Sequence, residues 1–482
     1  MIRGVTTFFA ILAVLCGAGC TADPGRTGSG PSAPTMAPAK VLPEQPFGLK
    51  WDGYRHPPTG DDPVIEEYGG GATFHEIVWC AVEPRQGERN WWLDDRVVTD
   101  LLSYGYRVMV RIRVGSCWAS GQPAAQRPRM AVSFPPVDTA AYQAFVRDLV
   151  GRYAAVGVHL YGIENEIDAN NMWGVDPLAY RAVGRAGAQA VRQADAQARV
   201  LDVGMTSASY GIAVSKAFLD AGRPDQALTF YRDFYAGRGD GGFPPASTAD
   251  ELRAVFALPR AQRALAAHAA DLELDQAGVF DIFQLHYYAG WAAAADVIDY
   301  IRGRVPAGMP IEAWELGFYW PGADYDPVRH GVETAKLLAV LLARGVDRLV
   351  YLPLDYSPGS AVVATEHWRG LFGDDGAARP AKTVLEEFRK HFATGTWRPV
   401  ARQGLSGGVA DQAATTTLVL WSTGGSPISL SRPANAPASS ITVTTLPDGR
   451  PRDWTSGTLD VGADPLIVSV PASAGLGWLE PA

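Results

Sequence analysis

Between about residues 46 and 395 the chain repeats one pattern, a short apolar run followed by an amphipathic stretch of helical length. The runs are PFGLKW (46–51), FHEIVWCA (74–81), YRVMVRIRV (106–114), VHLYGIEN (158–165), ARVLDVGM (198–205), VFDIFQLH (279–286), PIEAWE (310–315) and DRLVYLPL (347–354). Runs this short, bounded by turn residues, read as buried strands. Eight β-then-α units in succession predict an α/β fold, a (β/α)8 TIM barrel. An open doubly wound sheet is the competing architecture, but no glycine-rich phosphate loop follows any of the strands.

The intervening segments carry helix signals. Asp138 precedes a stretch with Tyr142, Phe145, Val146, Leu149 and Tyr153 on one face, and Asp176-Pro177 and Asp326-Pro327 each pair a cap with Pro at the first helical position. Gly105 closes the helix before the third strand. Beyond about residue 397 the texture changes to short β runs: TTTLVLWS (415–422), ISLS (428–431), ITVTTL (441–446), GTLDV (457–461) and PLIVSV (465–470). These predict a small C-terminal all-β sandwich that serves as a packing or accessory module.

The N-terminus bears on compartment. Arg3 precedes FFAILAVLC, a run too short to span a bilayer and suited to the core of a signal peptide. Gly17-Ala18-Gly19-Cys20 resembles a bacterial lipobox, in which Cys20 would carry the lipid, although Gly17 stands where Leu is usual; a plain secretory signal is the alternative. The following residues, rich in Pro, Gly, Ser and Thr, form a flexible tether. The expected organisation is a lipoprotein signal peptide over 1–20, a tether over 21–44, the barrel over 45–396 and the β-sandwich over 397–482. Such a chain sits at the extracellular face of a bacterial membrane, anchored by lipid or secreted, and touches the membrane only through that N-terminal lipid. The net charge of −9 argues against nucleic acid as a partner. A monomer is expected.

With Cys16 removed and Cys20 lipidated, Cys80 and Cys117 remain. An oxidising exterior favours pairing them, and their places at the ends of strands two and three allow it.

Strand three contains an unusual alternation. Val108, Val110, Ile112 and Val114 alternate with Arg107, Met109, Arg111 and Arg113. If the aliphatic set faces the helices, Arg111 and Arg113 face the barrel interior, where a guanidinium requires a carboxylate. Glu76 and Glu315 are the candidates. Arg113, nearer the catalytic end, is also a candidate substrate contact.

Strand four ends in Glu164-Asn165-Glu166 and strand seven in Trp314-Glu315-Leu316-Gly317-Phe318, with His286 and Tyr288 ending strand six between them. In this arrangement the chain resembles the clan A, or 4/7, glycoside hydrolases, whose acid/base follows Asn after strand four and whose nucleophile ends strand seven. Pro310, Glu315, Gly317 and Phe318 match the strand-seven pattern of that clan. WCAVEPRQGERNWWLDDRV (79–97), DIFQLHYY (281–288) and WRGLFGDDGAARPAK (368–382) resemble its segments in the same order.

The resemblance implies a retaining glycosidase acting on a carbohydrate, cleaving a β-linked bond in an oligo- or polysaccharide without cofactor or metal, and the N-terminal signal segment implies that it is exported. It implies Glu166 as acid/base and Glu315 as nucleophile, the two carboxyls that double displacement needs. Asn165 would bond the sugar hydroxyl beside the reacting carbon, and Tyr288 would donate to the nucleophile. His286 would line the site or be a satisfied barrel-top histidine. Trp118, Trp173 and Trp320 are candidate sugar-stacking residues, with Trp79 and Trp291 also near strand ends.

Some features depart from the pattern. Glu312 is an alternative nucleophile, and Trp314 stands where Ser or Thr is common. The aromatic often found at the end of strand eight is absent, leaving Asp355 or Tyr356 to replace it. A catalytically inactive carbohydrate-binding lipoprotein and a transporter's solute-binding lipoprotein are the competing functions.

Overall fold

A computed structural model describes residues 44–50, 66–236, 243–318, 325–352, 370–373, 376–455 and 457–479. The segment expected as a signal peptide, nearly all of the one expected as a tether, Cys20, Trp320, Asp355 and Tyr356 lie outside the described residues.

Eight strands appear in the predicted order: β1 (Phe47–Leu49), β2 (Ala72–Val78), β3 (Arg107–Arg113), β4 (Leu160–Ile163), β5 (Arg199–Leu201), β6 (Phe283–Tyr287), β7 (Ile311–Leu316) and β8 (Val346–Tyr351). They pair in parallel as two arcs, β2-β3-β4-β5 and β1-β8-β7-β6. A parallel bridge between Leu201 and Ile282 joins the arcs on one side. On the other, the Gln45 N–H donates to the Gly70 carbonyl at 2.9 Å, just ahead of β1 and β2. The result is the closed (β/α)8 barrel.

Alternation along the strands sorts side chains between two cores. Val108, Val110 and Ile112 of β3 join the large core beneath the helices. The barrel interior is layered. At the N-terminal end Arg348 pairs with Glu44 at 2.8 Å and with Glu312 at 3.4 Å. The middle layer is apolar, formed by Ala72, Phe74, Met109, Leu160, Leu201, Ile282, Trp314 and Val350. The polar groups at the C-terminal end are thereby separated from the ion pairs at the other.

The helix signals are realised where they were expected. Asp138 caps the helix Thr139–Ala154 by accepting from the N–H groups of Ala140 and Ala141, and that helix buries Tyr142, Phe145, Val146, Leu149 and Tyr153. The Asp326 side chain likewise caps Pro327–Ala343. That second helix is buried almost all round, because the barrel covers one side and the C-terminal β region the other.

The C-terminal region comprises β9 (Thr396–Pro399), β10 (Leu405–Asp411), β11 (Thr415–Ser422), β12 (Ile428–Ser431), β13 (Thr442–Thr445), β14 (Arg450–Asp453), β15 (Thr458–Val461) and β16 (Leu466–Pro471). Six form an antiparallel sheet, β14-β13-β16-β11-β10-β9, and β12 pairs with β15. One face of the sheet (Val409, Leu418, Leu420, Val443, Val468) packs over β12 and β15 through Leu430 and Leu459. The other face (Ala410, Val419, Trp421, Ile467) belongs to the same core as the barrel helices. Trp291 meets Trp421 edge-on at 5.2 Å, so it packs the two regions together rather than stacking on a sugar.

Strands β9, β10 and β14 are additions to the predicted set. Gly407 and Gly408 hide β10, and close packing requires both. A Cβ on Gly407 would fall 1.8 Å from the Val419 carbonyl oxygen, and one on Gly408 would fall 2.7 Å from the Trp397 ring. β9 and β14 lie at the two edges of the sheet and are mostly exposed, so no apolar alternation marks them.

Candidate active site

The polar end of the barrel gathers residues from five strands. β7 delivers Glu315 through an irregularity in its pairing: Leu285 sits opposite Ala313, but the next residue, His286, sits opposite Glu315. Trp314 is thus the extra residue of a β-bulge. The bulge lets Trp314 fill the apolar layer while Glu315 turns into the mouth.

Glu315 is 8% exposed, and both its oxygens are held. Oε1 accepts from Arg111 Nη1 at 2.8 Å, and Oε2 accepts from the Tyr288 hydroxyl at 3.1 Å. Burial alone would raise its pKa, but His286, the Arg111 guanidinium and the hydrogen bonds from Arg111 and Tyr288 bring it down to about 2. The carboxyl is therefore ionised at any ordinary pH.

Beyond β4, Glu164 and Glu166 both adopt positive φ, 65° and 44°. For non-glycine residues this left-handed backbone costs of order 1–3 kcal/mol each, a strain typical of functional sites. The alternation it produces separates two chemically identical side chains. Glu164 is fully buried, its Oε1 accepting from the Val114 N–H at 2.8 Å and the Ser133 hydroxyl at 2.9 Å. Burial pushes its pKa up to about 7, against the opposing pull of Arg113 and those two donors. Glu166 is partly exposed and turns to the mouth, where its Oε1 lies 3.0 Å from His286 Nδ1. Between them Asn165 is 4% exposed, and its Oδ1 is buried without a hydrogen-bond partner among the described residues.

His286 stands between the two expected carboxylates. Its Nδ1 is 3.0 Å from Glu166 and 3.7 Å from Glu315, and its Nε2 lies 3.2 Å from both Arg111 Nη2 and Gln284 Oε1. Gly204, at φ 61°, makes room for the ring, since a Cβ there would fall 2.5 Å from Nε2. One oxygen of Glu166, one of Glu315 and a His286 nitrogen all lie within 4.8 Å of one another. Such a trio has the composition of a metal site. Here the positive charge beside Glu315 is the Arg111 guanidinium, and both Glu315 oxygens already have donors.

The two arginines separate. Arg111 serves Glu315 and also donates to Gln284 Oε1 at 2.8 Å, with its guanidinium 4.4 Å from the Phe74 ring centre. Arg113, expected as a substrate contact, is 2% exposed and donates to Glu76 at 2.7 Å and to the Ala131 carbonyl at 2.8 Å. Both Nη groups are engaged within the wall and Nε lies 3.8 Å from Glu164 Oε2, so the geometry assigns it a supporting role. Gln284, which the sequence reading passed over, donates from Nε2 to the Asp202 carbonyl at 2.7 Å, and this fixes which of its ends faces Arg111.

The tryptophans also need correction. Trp173 is 0% exposed and donates to the Asp176 carbonyl at 3.2 Å, so it cannot stack on a ligand. Trp118 is partly buried, donates to the Glu83 carbonyl at 2.8 Å and lies edge-on to Trp79, itself buried, at 5.4 Å. Both belong to the packing behind the site. Glu312 is bonded by the Trp314 indole at 2.9 Å and by Arg348 at the opposite end of the barrel, which removes it as a nucleophile. Cys80 and Cys117 form a disulfide with Cα atoms 5.6 Å apart, pinning the loop after β3 to the end of β2.

No protein-family model matches the sequence, and no curated protein matches it. Solved structures match its fold. A family 39 glycoside hydrolase from the gut symbiont Bacteroides cellulosilyticus superposes with a TM-score of 0.58 at 13% identity, over 89% of this chain and 82% of that one. A family 30 endoxylanase from Clostridium papyrosolvens gives 0.53 at 14% identity, over 89% and 97%. A monomeric β-xylosidase from Caulobacter crescentus gives 0.52 at 12% identity, over 90% and 97%. The chain has the fold of family 30 and family 39 glycoside hydrolases. At these identities the likeness speaks for the fold, and the site's chemistry rests on its own geometry.

Proposed function

We propose that this protein is an exported retaining glycoside hydrolase in which Glu315 is the nucleophile and Glu166 the acid/base. The observation that carries the reading is the approach of a Glu166 oxygen to within 4.8 Å of a Glu315 oxygen across the mouth. Retaining enzymes hold their carboxyls roughly 5–5.5 Å apart, whereas inverting ones leave roughly 6.5–9.5 Å for a water. The short spacing favours double displacement.

The environments suit the two roles. Glu315, held ionised by Arg111 and Tyr288, attacks the anomeric carbon as Glu166 gives its proton to the departing oxygen. Glu166 then takes a proton from water, whose oxygen displaces Glu315 from the sugar. His286 can match both protonation states of Glu166. Whenever Nδ1 carries a proton it can donate to the Glu166 carboxylate, and when the single proton of the neutral ring sits on Nε2 instead, Nε2–H donates to Gln284 and Nδ1 accepts from the protonated acid. The free acceptor on Asn165 suits a sugar hydroxyl beside the reacting carbon.

Because the matched structures include a xylanase and a xylosidase, β-xylosides and xylan head the substrate panel. The enzyme acts as a monomer at the extracellular face of a bacterial membrane, anchored through lipid on Cys20. Proton NMR of the first product formed from an aryl β-glycoside tests the mechanism. The account requires the β-anomer to appear first; initial α-anomer, or no hydrolysis across the panel, contradicts it.

A further inference from the structure

A second group of acids lies in the barrel wall, outside the proposed reaction. Asp202 follows β5, whose Leu201 fills the barrel interior, so the Asp202 side chain faces the helix layer. Asp271 and Asp275 lie one turn apart on the helix Pro259–Gln276 that covers it. All three are buried, at 0%, 1% and 0% exposure, and one oxygen from each lies within 4.8 Å of the others.

No charge balances them. Among the described residues no Lys, Arg or His forms an ion pair with any of the three. His268, one turn earlier on the same helix, shares a hydrogen bond of 2.9 Å with the Ser209 hydroxyl, and burial lowers its pKa to about 3, so it is neutral. Arg304 is engaged with the Tyr300 carbonyl at 3.1 Å.

Nor are the oxygens satisfied. Asp202 Oδ1 accepts from the Gln284 N–H at 2.6 Å. Asp202 Oδ2, Asp271 Oδ1 and both oxygens of Asp275 have no hydrogen-bond partner among the described residues. A separate observation points to the same spot. The Tyr210 hydroxyl is fully buried and also without a partner among the described residues, and its ring packs edge-on at 5.0 Å against His268, one turn before Asp271 on the covering helix.

Buried carboxylates this close must hold either protons or a cation. Protonation would need a proton on each acid, Asp275 included, whereas one cation would meet all three carboxyls and the Tyr210 hydroxyl at once, so these groups are the ones to test. From this geometry we infer that Asp202, Asp271 and Asp275 bind one calcium ion, with the Tyr210 hydroxyl beside it. Three carboxylates and a hydroxyl form the hard oxygen set that calcium takes in flexible geometry, whereas magnesium demands a near-ideal octahedron and keeps its waters. The ion would clamp β5 to its covering helix. It would also brace Asp202, whose carbonyl holds the Gln284 side chain that bonds Arg111.

The test uses the full chain in chelator-treated buffer. Metal analysis after dialysis against calcium should find one Ca2+ per chain. EDTA should lower the melting temperature by several degrees, with CaCl2 restoring it and MgCl2 restoring less. Terbium excited through tyrosine should luminesce on binding and be displaced by calcium, and Asp275→Asn should lose both the ion and the thermal response. A wild-type chain with no bound ion and the same melting temperature in EDTA and CaCl2 overturns the inference, because the cluster then holds protons. A calcium response that survives Asp275→Asn overturns it too. Should that variant fail to fold, the wild-type measurements decide alone.

Discussion

Arg111 on β3 donates to Glu315 on β7 at 2.8 Å, joining residues 204 positions apart across the barrel. Both residues are buried, with Arg111 2% exposed and Glu315 8% exposed. The pair gives Glu315 both its ionised state and its orientation, and several consequences depend on it.

Arg111→Lys keeps the charge but loses the fork that reaches Glu315, Gln284 and His286 together. The expected kcat loss is roughly 10²-fold or more, the scale seen when one positioned donor is removed from a charge-bearing site. The acidic limb of the pH–rate profile should move up, because the carboxyl that Arg111 helps hold at about 2 returns toward the ordinary carboxylate range. Stability follows the same sign. A carboxyl with a lowered folded pKa contributes fully above its unfolded value, and that contribution is lost as pH falls toward about 2. Arg111→Ala, which leaves Glu315 buried without its cation, should cost about 3–5 kcal/mol in denaturant titrations.

The two glutamates flanking Asn165 should respond unequally to substitution. Glu164→Gln can keep accepting from Val114 and Ser133, so turnover should fall far less than in Glu166→Gln. Its raised pKa gives the linkage the other sign. The folded state prefers the protonated acid, so the wild type loses stability as pH rises from the ordinary carboxylate range toward about 7, and Glu164→Gln should flatten that loss. Melting temperatures of both chains across that range check it.

Much of this site was legible in the sequence because strand periodicity fixes which side chains share the barrel interior. The alternation of β3 placed Arg111 and Arg113 inside with Glu76 and Glu315 as candidate partners, while the resemblance to the 4/7 glycoside hydrolases supplied His286 and Tyr288. What periodicity could not supply was the left-handed backbone at Glu164 and Glu166, which decides which acid faces the mouth. It also missed the bulge that sends Trp314 and Glu315 to the same side. Trp173 misled because a tryptophan near a strand end reads the same whether it stacks on sugar or, as here, packs edge-on against Tyr180 in the core. The acid cluster was invisible for a related reason: Asp271 and Asp275 one turn apart resemble an exposed helix face until the fold buries them.

The Cys80–Cys117 bond closes a separation of 37 residues, which in the chain-entropy model stabilises by roughly 4 kcal/mol. Cys80→Ser should lower stability by about that amount in guanidinium unfolding. Two free thiols in the unreduced, unfolded wild type would show the bond to be absent in solution.

Cys20→Ala should release the protein from the membrane fraction or leave it unprocessed. Unchanged membrane association in that variant would place the anchor elsewhere.

Azide rescue of the two glutamate variants tests the central claim most directly. With a dinitrophenyl β-glycoside, which needs little protonation, Glu166→Ala should still form the glycosyl-enzyme and accumulate it. Added azide should then speed turnover and yield the β-glycosyl azide, while Glu315→Ala stays inactive because nothing remains to form the intermediate. Rescue of Glu315→Ala by azide with inverted product, with Glu166→Ala left inert, would mean that the nucleophile and the acid/base are the reverse of those assigned.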